Sequence, residues 1–264
     1  MKKFFATLIA LAIILSAHTA SAWGGFGHAS IAYMAEQYLT PEAKAKCNYY
    51  LKHSLPYYAS WMDSWRAIPP YNKSGAHSFK AKADDTVDWE SGNGRAIGNV
   101  NRIWNSMKDG KYKNMPDSLV NINLKILVHA LPDMHCPVHV GFSKKDYPNY
   151  KYSLLRRGKT LSYHTFWDGS PGFSRKGWDH ERYRKENDHV SPKQLKKILK
   201  KGNINAWGED IIRQAHRSYR ITPADTEITK MSEEQKAEVW ALADEMAVKA
   251  AHRLAYVLND IFKE

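Results

Sequence analysis

Two cysteines in 264 residues are too few for a disulfide scaffold or a four-cysteine zinc ribbon. Past residue 22 there is no apolar run of 18 or more, so that part of the sequence predicts no membrane-spanning helix. Internal repeats, low-complexity tracts and long Ser/Gly/Pro linkers are also missing. So is the alternation of apolar and polar residues that marks strands. Acidic residues are in deficit: 27 Asp and Glu stand against 39 Lys and Arg, for a net charge of +12. The 43% hydrophobic and 25% charged fractions are those of an ordinary globular chain and argue against disorder. What is over-supplied is ring chemistry, with 12 His, 9 Trp and 15 Tyr. A metal site in this chain must lean on His, Asp and Glu.

The first 22 residues have the pattern of a signal peptide. Lys2 and Lys3 form a positive start, Phe4 to Leu15 an apolar stretch too short to span a bilayer, and Ala20-Ser21-Ala22 a cleavage site. The expected mature protein begins at Trp23, forms one domain over residues 23–264, and is exported to the periplasm or secreted. A monomer is expected. Removal of Lys2 and Lys3 lowers the charge to +10. A basic surface suits polyanions; it also serves solubility, and charge alone leaves both readings open. Lys196, Lys197, Lys200 and Lys201 read as a solvated helix face. In an oxidising compartment Cys47 and Cys136 could pair or stay free.

Helical periodicity covers His28 to Leu39, and Thr40-Pro41 opens a second helix to about Leu51. Further helices are predicted over Asp117 to about Met134, Asn205 to Arg217, and Ser232 to Lys263, the last opened by Ser232 and Gln235 as a capping box. Pro132 should kink the helix that contains it, because it has no N–H for the Val128 carbonyl. Gly141 to Asn187 reads as mostly loop, with a short helical piece around His164 to Asp168. The class is all-α.

Two His-x-x-x-Asp pairs carry the chemistry: His129 with Asp133, and His164 with Asp168. On a helix, positions i and i+4 share a face about 5–6 Å apart and can close on one metal ion. His139 follows Asp133 past Pro137, where the chain can turn back. Neutral imidazole and carboxylate suit zinc. At the expected mature terminus, Trp23-Gly24-Gly25-Phe26-Gly27-His28 places an α-amine, its carbonyl and an imidazole within six residues. An α-amine with pKa near 8 can be deprotonated by a metal. A flexible exported tail is the alternative reading of that segment. His53, His135, His180, His189, His216 and His252 have no ligand spacing.

These motifs resemble those of the S1/P1 nuclease family of secreted, trinuclear-zinc phosphodiesterases, within the phospholipase C/P1 nuclease superfamily. The matching elements are Trp23 to His28, Trp61-Met62-Asp63-Ser64-Trp65-Arg66, the lone His77, His129 to His139, and His164 to Asp168, in that order. Trp207-x-Glu209 and Arg253-Leu254-Ala255-x-x-Leu258-Asn259 also match, so the resemblance covers residues 23–264. It implies a multi-helix fold with long loops and three Zn²⁺ ions. It implies that Asp63, His77, His129 and Asp133 surround one ion. His139, His164 and Asp168 hold the second, and Trp23, His28 and Asp133 the third, so that Asp133 bridges two ions. Arg66 beside the cluster would meet phosphate, and Arg66 and Asp63 are the residues assigned to catalysis.

The activity so implied is endonucleolytic hydrolysis of single-stranded DNA and RNA, and of 3′-nucleotides, to 5′-phosphate products. Two alternatives stand beside it: a zinc phospholipase C, and a zinc-binding homologue with impaired catalysis. The chain departs from the family pattern at Pro132 (usually Gly), Cys136 (usually Gln), Ser78 (commonly an aromatic ring that stacks a base) and Lys80 (commonly a base-contacting Asp). Metal chemistry is thus expected intact and base recognition altered. Tyr57, Tyr58, Trp61, Trp65 and Phe79 flank expected ligands and either stack bases or wall the pocket.

Overall fold

The computed structural model describes residues 23–65, 68, 76–142, 153–170 and 175–263. Among the described residues, six helices begin at a residue whose side chain accepts from a first-turn N–H. Helix α1 (Gly24–Glu36) follows directly on Trp23, which has a φ of 61° and is 1% exposed. The glycine-rich segment is therefore the first turn of a buried helix, not a flexible tail. Helix α2 (Pro41–Leu51) has Pro41 in its first turn, and the Thr40 side chain accepts from the Ala43 N–H. Short helices α3 (Leu55–Tyr58) and α4 (Trp61–Trp65) lead to strand β1 (Phe79–Lys80). Helices α5 (Arg95–Met107) and α6 (Asp117–His135) follow, then β2 (Val140–Gly141), which pairs parallel with β1.

The stretch expected to be loop contains two further structures. Strands β3 (Ser153–Arg156) and β4 (Lys159–Ser162) form an antiparallel hairpin. Its two-residue turn needs positive φ at both positions, and Arg157 (53°) and Gly158 (72°) adopt it. An arginine in the first turn position hides the usual Asn-Gly signal. After α7 (Tyr163–Gly169), helix α8 (His180–Asn187) is capped by Asp179 and buries only Tyr183, too little for apolar periodicity to reveal. Helices α9 (Pro192–Leu199), α10 (Ile204–Ile221) and α11 (Glu233–Phe262) complete the described chain. The capping boxes at Ser191 and Ser232 are both formed. Helix α5 likewise lies outside the segments predicted to be helical, and of the four lysines read as one helix face only Lys196 and Lys197 lie on α9, Lys200 and Lys201 having left-handed φ just past its end. The fold is all-α, and among the described residues the sheets beside the helices are two-stranded. Among the described residues no helix is long and apolar enough to cross a membrane.

The core is built around α6 and α11. Helix α11 packs on α1, α6 and α2, and α6 also packs on α5. Every residue of α6 from Ile126 to His135 is buried, the condition of a helix surrounded on all sides. It runs three residues past Pro132, so the proline does not end it. Two buried cross-links fix its C-terminal turn. The Trp23 indole Nε1 donates to the Pro132 carbonyl at 2.7 Å. The fully buried Arg253 donates to His135 Nε2 at 2.9 Å, to Asp210 Oδ2 at 2.8 Å and to the Ile198 carbonyl at 3.1 Å. His135 in turn hydrogen-bonds the Leu131 carbonyl through Nδ1. Burial and the Arg253 charge hold His135 well below the ordinary histidine pKa, so it is neutral and accepts from the guanidinium.

Helix α10 meets the core with no room to spare. A Cβ added at Gly208 would lie 2.3 Å from Val87 Cγ2 and 3.0 Å from Ile97 Cδ1. Alanine gains roughly 0.5–1 kcal/mol in helix propensity over glycine, whereas overpacking a core costs about 1–3 kcal/mol. Gly208→Ala is therefore expected to lower stability, read as a reduced urea midpoint. A raised midpoint would show that Val87 yields freely.

Candidate metal centre

Six chain segments deliver their polar side chains to one buried region. Helix α1 brings His28, α4 brings Asp63, and the residues before β1 bring His77. Helix α6 brings His129 and Asp133, and the turn after it brings His139. Helix α7 brings His164 and Asp168. Their ligand atoms gather in three groups, each within 4.8 Å: His28, His129 and Asp133; Asp63, His77 and His129; and His139, His164 and Asp168.

Asp133 is the centre of the arrangement. Its side chain is fully buried, and its two oxygens face different ways. Oδ1 lies 3.0 Å from His28 Nε2. Oδ2 lies 2.5 Å from His77 Nδ1 and 3.0 Å from His129 Nε2. His28 stacks on His129 with ring centroids 4.3 Å apart. Burial grades outward from here. His28, His129 and Asp133 side chains have no exposure, Asp63 has 9%, His77 16% and His164 39%. One side of the cluster is thus open to solvent.

Backbone carbonyls set which imidazole nitrogen is available. His129 Nδ1 lies 2.7 Å from the Ala59 carbonyl, and His139 Nδ1 lies 2.7 Å from the His77 carbonyl. A carbonyl only accepts, so Nδ1 carries the proton in each neutral ring and Nε2 presents its lone pair inward. This is the usual second-layer support of metal-binding histidines. His139 Nε2 sits 2.9 Å from His164 Nε2. His28 Nδ1 and His77 Nε2 are buried and make no hydrogen bond. Buried polar atoms normally have partners. Imidazole and carboxylate atoms gathered this closely are a donor set that fits zinc.

The sequence expectations can be placed on this geometry. All of His28, Asp63, His77, His129, Asp133, His139, His164 and Asp168 come together. Trp23 is buried beside them, but its carbonyl accepts from the Gly27 N–H as part of α1. Arg66 lies outside the described residues. Phe79, one of the rings proposed to stack bases, is fully buried in the core and paired with Val140. Tyr58 is also core, with its hydroxyl donating to the Leu51 carbonyl. Tyr57 and Trp65 keep exposed faces, and Trp61 stacks on Trp65. Lys80 is exposed. The cysteines are unpaired and buried. Cys136 was read only as a departure or half of a disulfide. Its Sγ lies 3.3 Å from Asp168 Oδ1, a long-range contact that no sequence spacing signals. Burial, helped by the Asp168 charge, pushes its thiol pKa well above the ordinary value.

The electrostatics follow from burial and from the carboxylates, Asp133 foremost. Burial alone would depress His129, but the Asp133 charge overrides it and raises the pKa to about 9. Burial would raise Asp133, but His129 and the other imidazoles hold it well below the usual carboxylate range. His28 is lowered by burial and by His129, and His139 by burial. A raised histidine stabilises fully below its unfolded pKa of about 6.5, and that contribution is lost as pH rises through the folded value. The lowered histidines lose stability as pH falls below about 6.5. The depressed Asp133 contributes above its unfolded pKa of about 3.9 and loses this as pH falls further. Protein freed of metal by chelator is therefore expected to be most stable near pH 6.5, with Asp133→Asn flattening the alkaline limb up to about pH 9. Urea unfolding across pH 4 to 10 measures this; stability rising from pH 7 to 9 would contradict it.

Comparison with known proteins agrees with the geometry. The curated relatives include Nuclease P1 of Penicillium citrinum, 29% identical over 126 residues, which are 44% of this chain and 47% of that protein. Nuclease S1 of Aspergillus oryzae is 24% identical over 174 residues, 61% of this chain and 58% of that protein. The matches thus span about half the length of these relatives. A family model described as S1/P1 Nuclease matches over residues 23–263, a span that takes in every residue of the three clusters. The chain belongs to the S1/P1 nuclease family.

Proposed function

We propose that the protein is an exported, zinc-dependent phosphodiesterase that cuts single-stranded DNA and RNA, and 3′-nucleotides, to leave 5′-phosphates. The observation that carries this reading is the convergence of three ligand groups in which His129 is common to two, while Asp133 Oδ1 faces His28 and Oδ2 faces His77 and His129. The two fungal relatives are named as nucleases.

In this reading Asp63, His77, His129 and Asp133 hold one zinc. His139, His164 and Asp168 hold another. His28, Asp133 and the Trp23 amine and carbonyl, freed by cleavage after Ala22, hold the third. Bound zinc supplies Lewis acidity, lowering the pKa of water and neutralising charge on phosphate oxygens. The protein's own residues do the rest. The Ala59 and His77 carbonyls keep the His129 and His139 rings in the tautomer and orientation a ligand needs. The buried walls exclude water from the inner group, while the exposed edge of His164 marks the side from which substrate enters. Arg66 offers a permanent cation to phosphate. Tyr57 and Trp65 are the exposed rings available to stack bases at the rim. A recessed cluster reaches a flexible single strand more easily than a phosphate held in an intact duplex.

Elemental analysis of protein purified without chelator is expected to find close to three zinc ions per chain, and a value near one would refute the trinuclear reading. Asp133→Asn should lose about two of them, because one carboxylate serves two groups.

Activity is tested with correctly processed protein against single-stranded DNA, RNA, 3′-AMP and phosphatidylcholine side by side. Hydrolysis of the first three, abolished by chelator and restored by zinc, is the expected result. Turnover confined to phosphatidylcholine identifies a phospholipase, and no turnover despite full zinc identifies an impaired homologue. Protein with residues left ahead of Trp23 should bind one zinc fewer and lose most activity, with unchanged helical circular dichroism.

A further inference from the structure

Cys136 occupies a junction that the cluster does not otherwise explain. Its backbone N–H donates to the Asp133 carbonyl at 2.9 Å, and its own carbonyl accepts from the His139 N–H at 2.9 Å. Its thiol is fully buried and lies 3.3 Å from Asp168 Oδ1, on α7, 32 residues away in sequence. One residue therefore touches the backbones of two cluster residues and the side chain of a third. Asp168 is itself 3% exposed, and its other oxygen, Oδ2, is buried. That oxygen lies 2.8 Å from His164 Nδ1, and Oδ1 lies 3.8 Å from His139 Nε2.

We infer that Cys136 is a positioning residue: its S–H donates to Asp168 Oδ1 and so fixes the carboxylate rotation that sets Oδ1 toward His139 and Oδ2 against His164. The inference rests on the proposed metal reading of that group. The physical case is a matter of satisfaction and rotation. A carboxylate attached through one flexible torsion can present either oxygen; a donor on one of them fixes the rotation. A thiol is a weak donor, so it fixes the carboxylate without drawing off much of the charge that makes it a good ligand. Cys136 is not one of the three convergent groups, which separates orienting a ligand from being one.

The test uses the processed protein, stripped of metal and titrated with zinc against a competing chelator. Cys136→Val keeps an apolar side chain of similar bulk and removes the donor; Cys136→Ser keeps a donor. The expected result is that Val weakens one of the three ions by about 10–100-fold, the range for losing a second-layer partner. The other two should be unchanged, and Ser should stay within a few-fold of the wild type. Cobalt substituted at the same site should show an altered visible spectrum in Val but not in Ser. Wild-type affinity in Val, or equal weakening in Val and Ser, would overturn the inference. His164→Ala is the control for the reading beneath it. If His164→Ala leaves zinc binding intact, the metal group itself is wrong; if it removes an ion while Val does not, only the role of Cys136 is wrong. Thermal unfolding of the metal-free variants shows whether each is folded, and the Val-against-Ser comparison is made on those that are.

Discussion

A carboxylate with no exposure at all governs this molecule. Taking an ionised Asp133 out of water is expensive unless opposite charge and hydrogen-bonding groups surround it. Three imidazoles do so, and each arrives from a different part of the chain: His28 on α1, His77 before β1, and His129 one turn back on α6. Everything else about the interior is arranged to bring those rings to that point. Helix α6 is buried on all sides because its polar residues must sit at the centre, and the helices around it are the walls that this burial demands. Without metal, one carboxylate faces three rings that cannot all be satisfied by it. The unpaired atoms that remain are the mark of a site shaped for cations.

A second buried charge steadies the same helix from the other end of its last turn. Arg253, fully buried, is balanced by Asp210, capped by the Ile198 carbonyl and laid over the Trp207 ring. Its bond to His135 holds the residue two places beyond Asp133. The histidine that had no ligand spacing in the sequence therefore has a structural task, and the two buried charges sit on different helices, α6 and α11. Such a pair is weak evidence for stability; its clearer effect is to fix where the C-terminus of α6 ends and hence where His139 begins.

The sequence disclosed the parts of this design that are local. The His-x-x-x-Asp pairs needed only helical spacing, and the caps at Thr40 and Ser232 needed only residue type. The all-α class followed from the same periodicities. What stayed hidden depends on contacts remote in sequence. Phe79 looked like a ring that could face substrate, and only the pairing of β1 with β2 shows it turned into the core. The hairpin at 153–162 was masked by an arginine in a turn position that usually advertises itself with asparagine. Cys136 lies inside the most legible motif, yet its meaning resides in Asp168, 32 residues further along the chain.

The indole bond from Trp23 to the Pro132 carbonyl closes a loop of 109 residues, and the stacking of His28 on His129 closes one nearly as long. Contacts this remote pay their chain entropy before any neighbour rewards them, so they form late and slow the search. An incomplete chain that ends anywhere before α6 holds no Asp133 and no pair of convergent groups. The consequence is temporal: the cluster is a property of the finished fold alone. A chain still being made presents scattered histidines with no particular hold on a cation. The order of events is thus written into the spacing of the residues: closure of the helices first, and a competent interior only afterward.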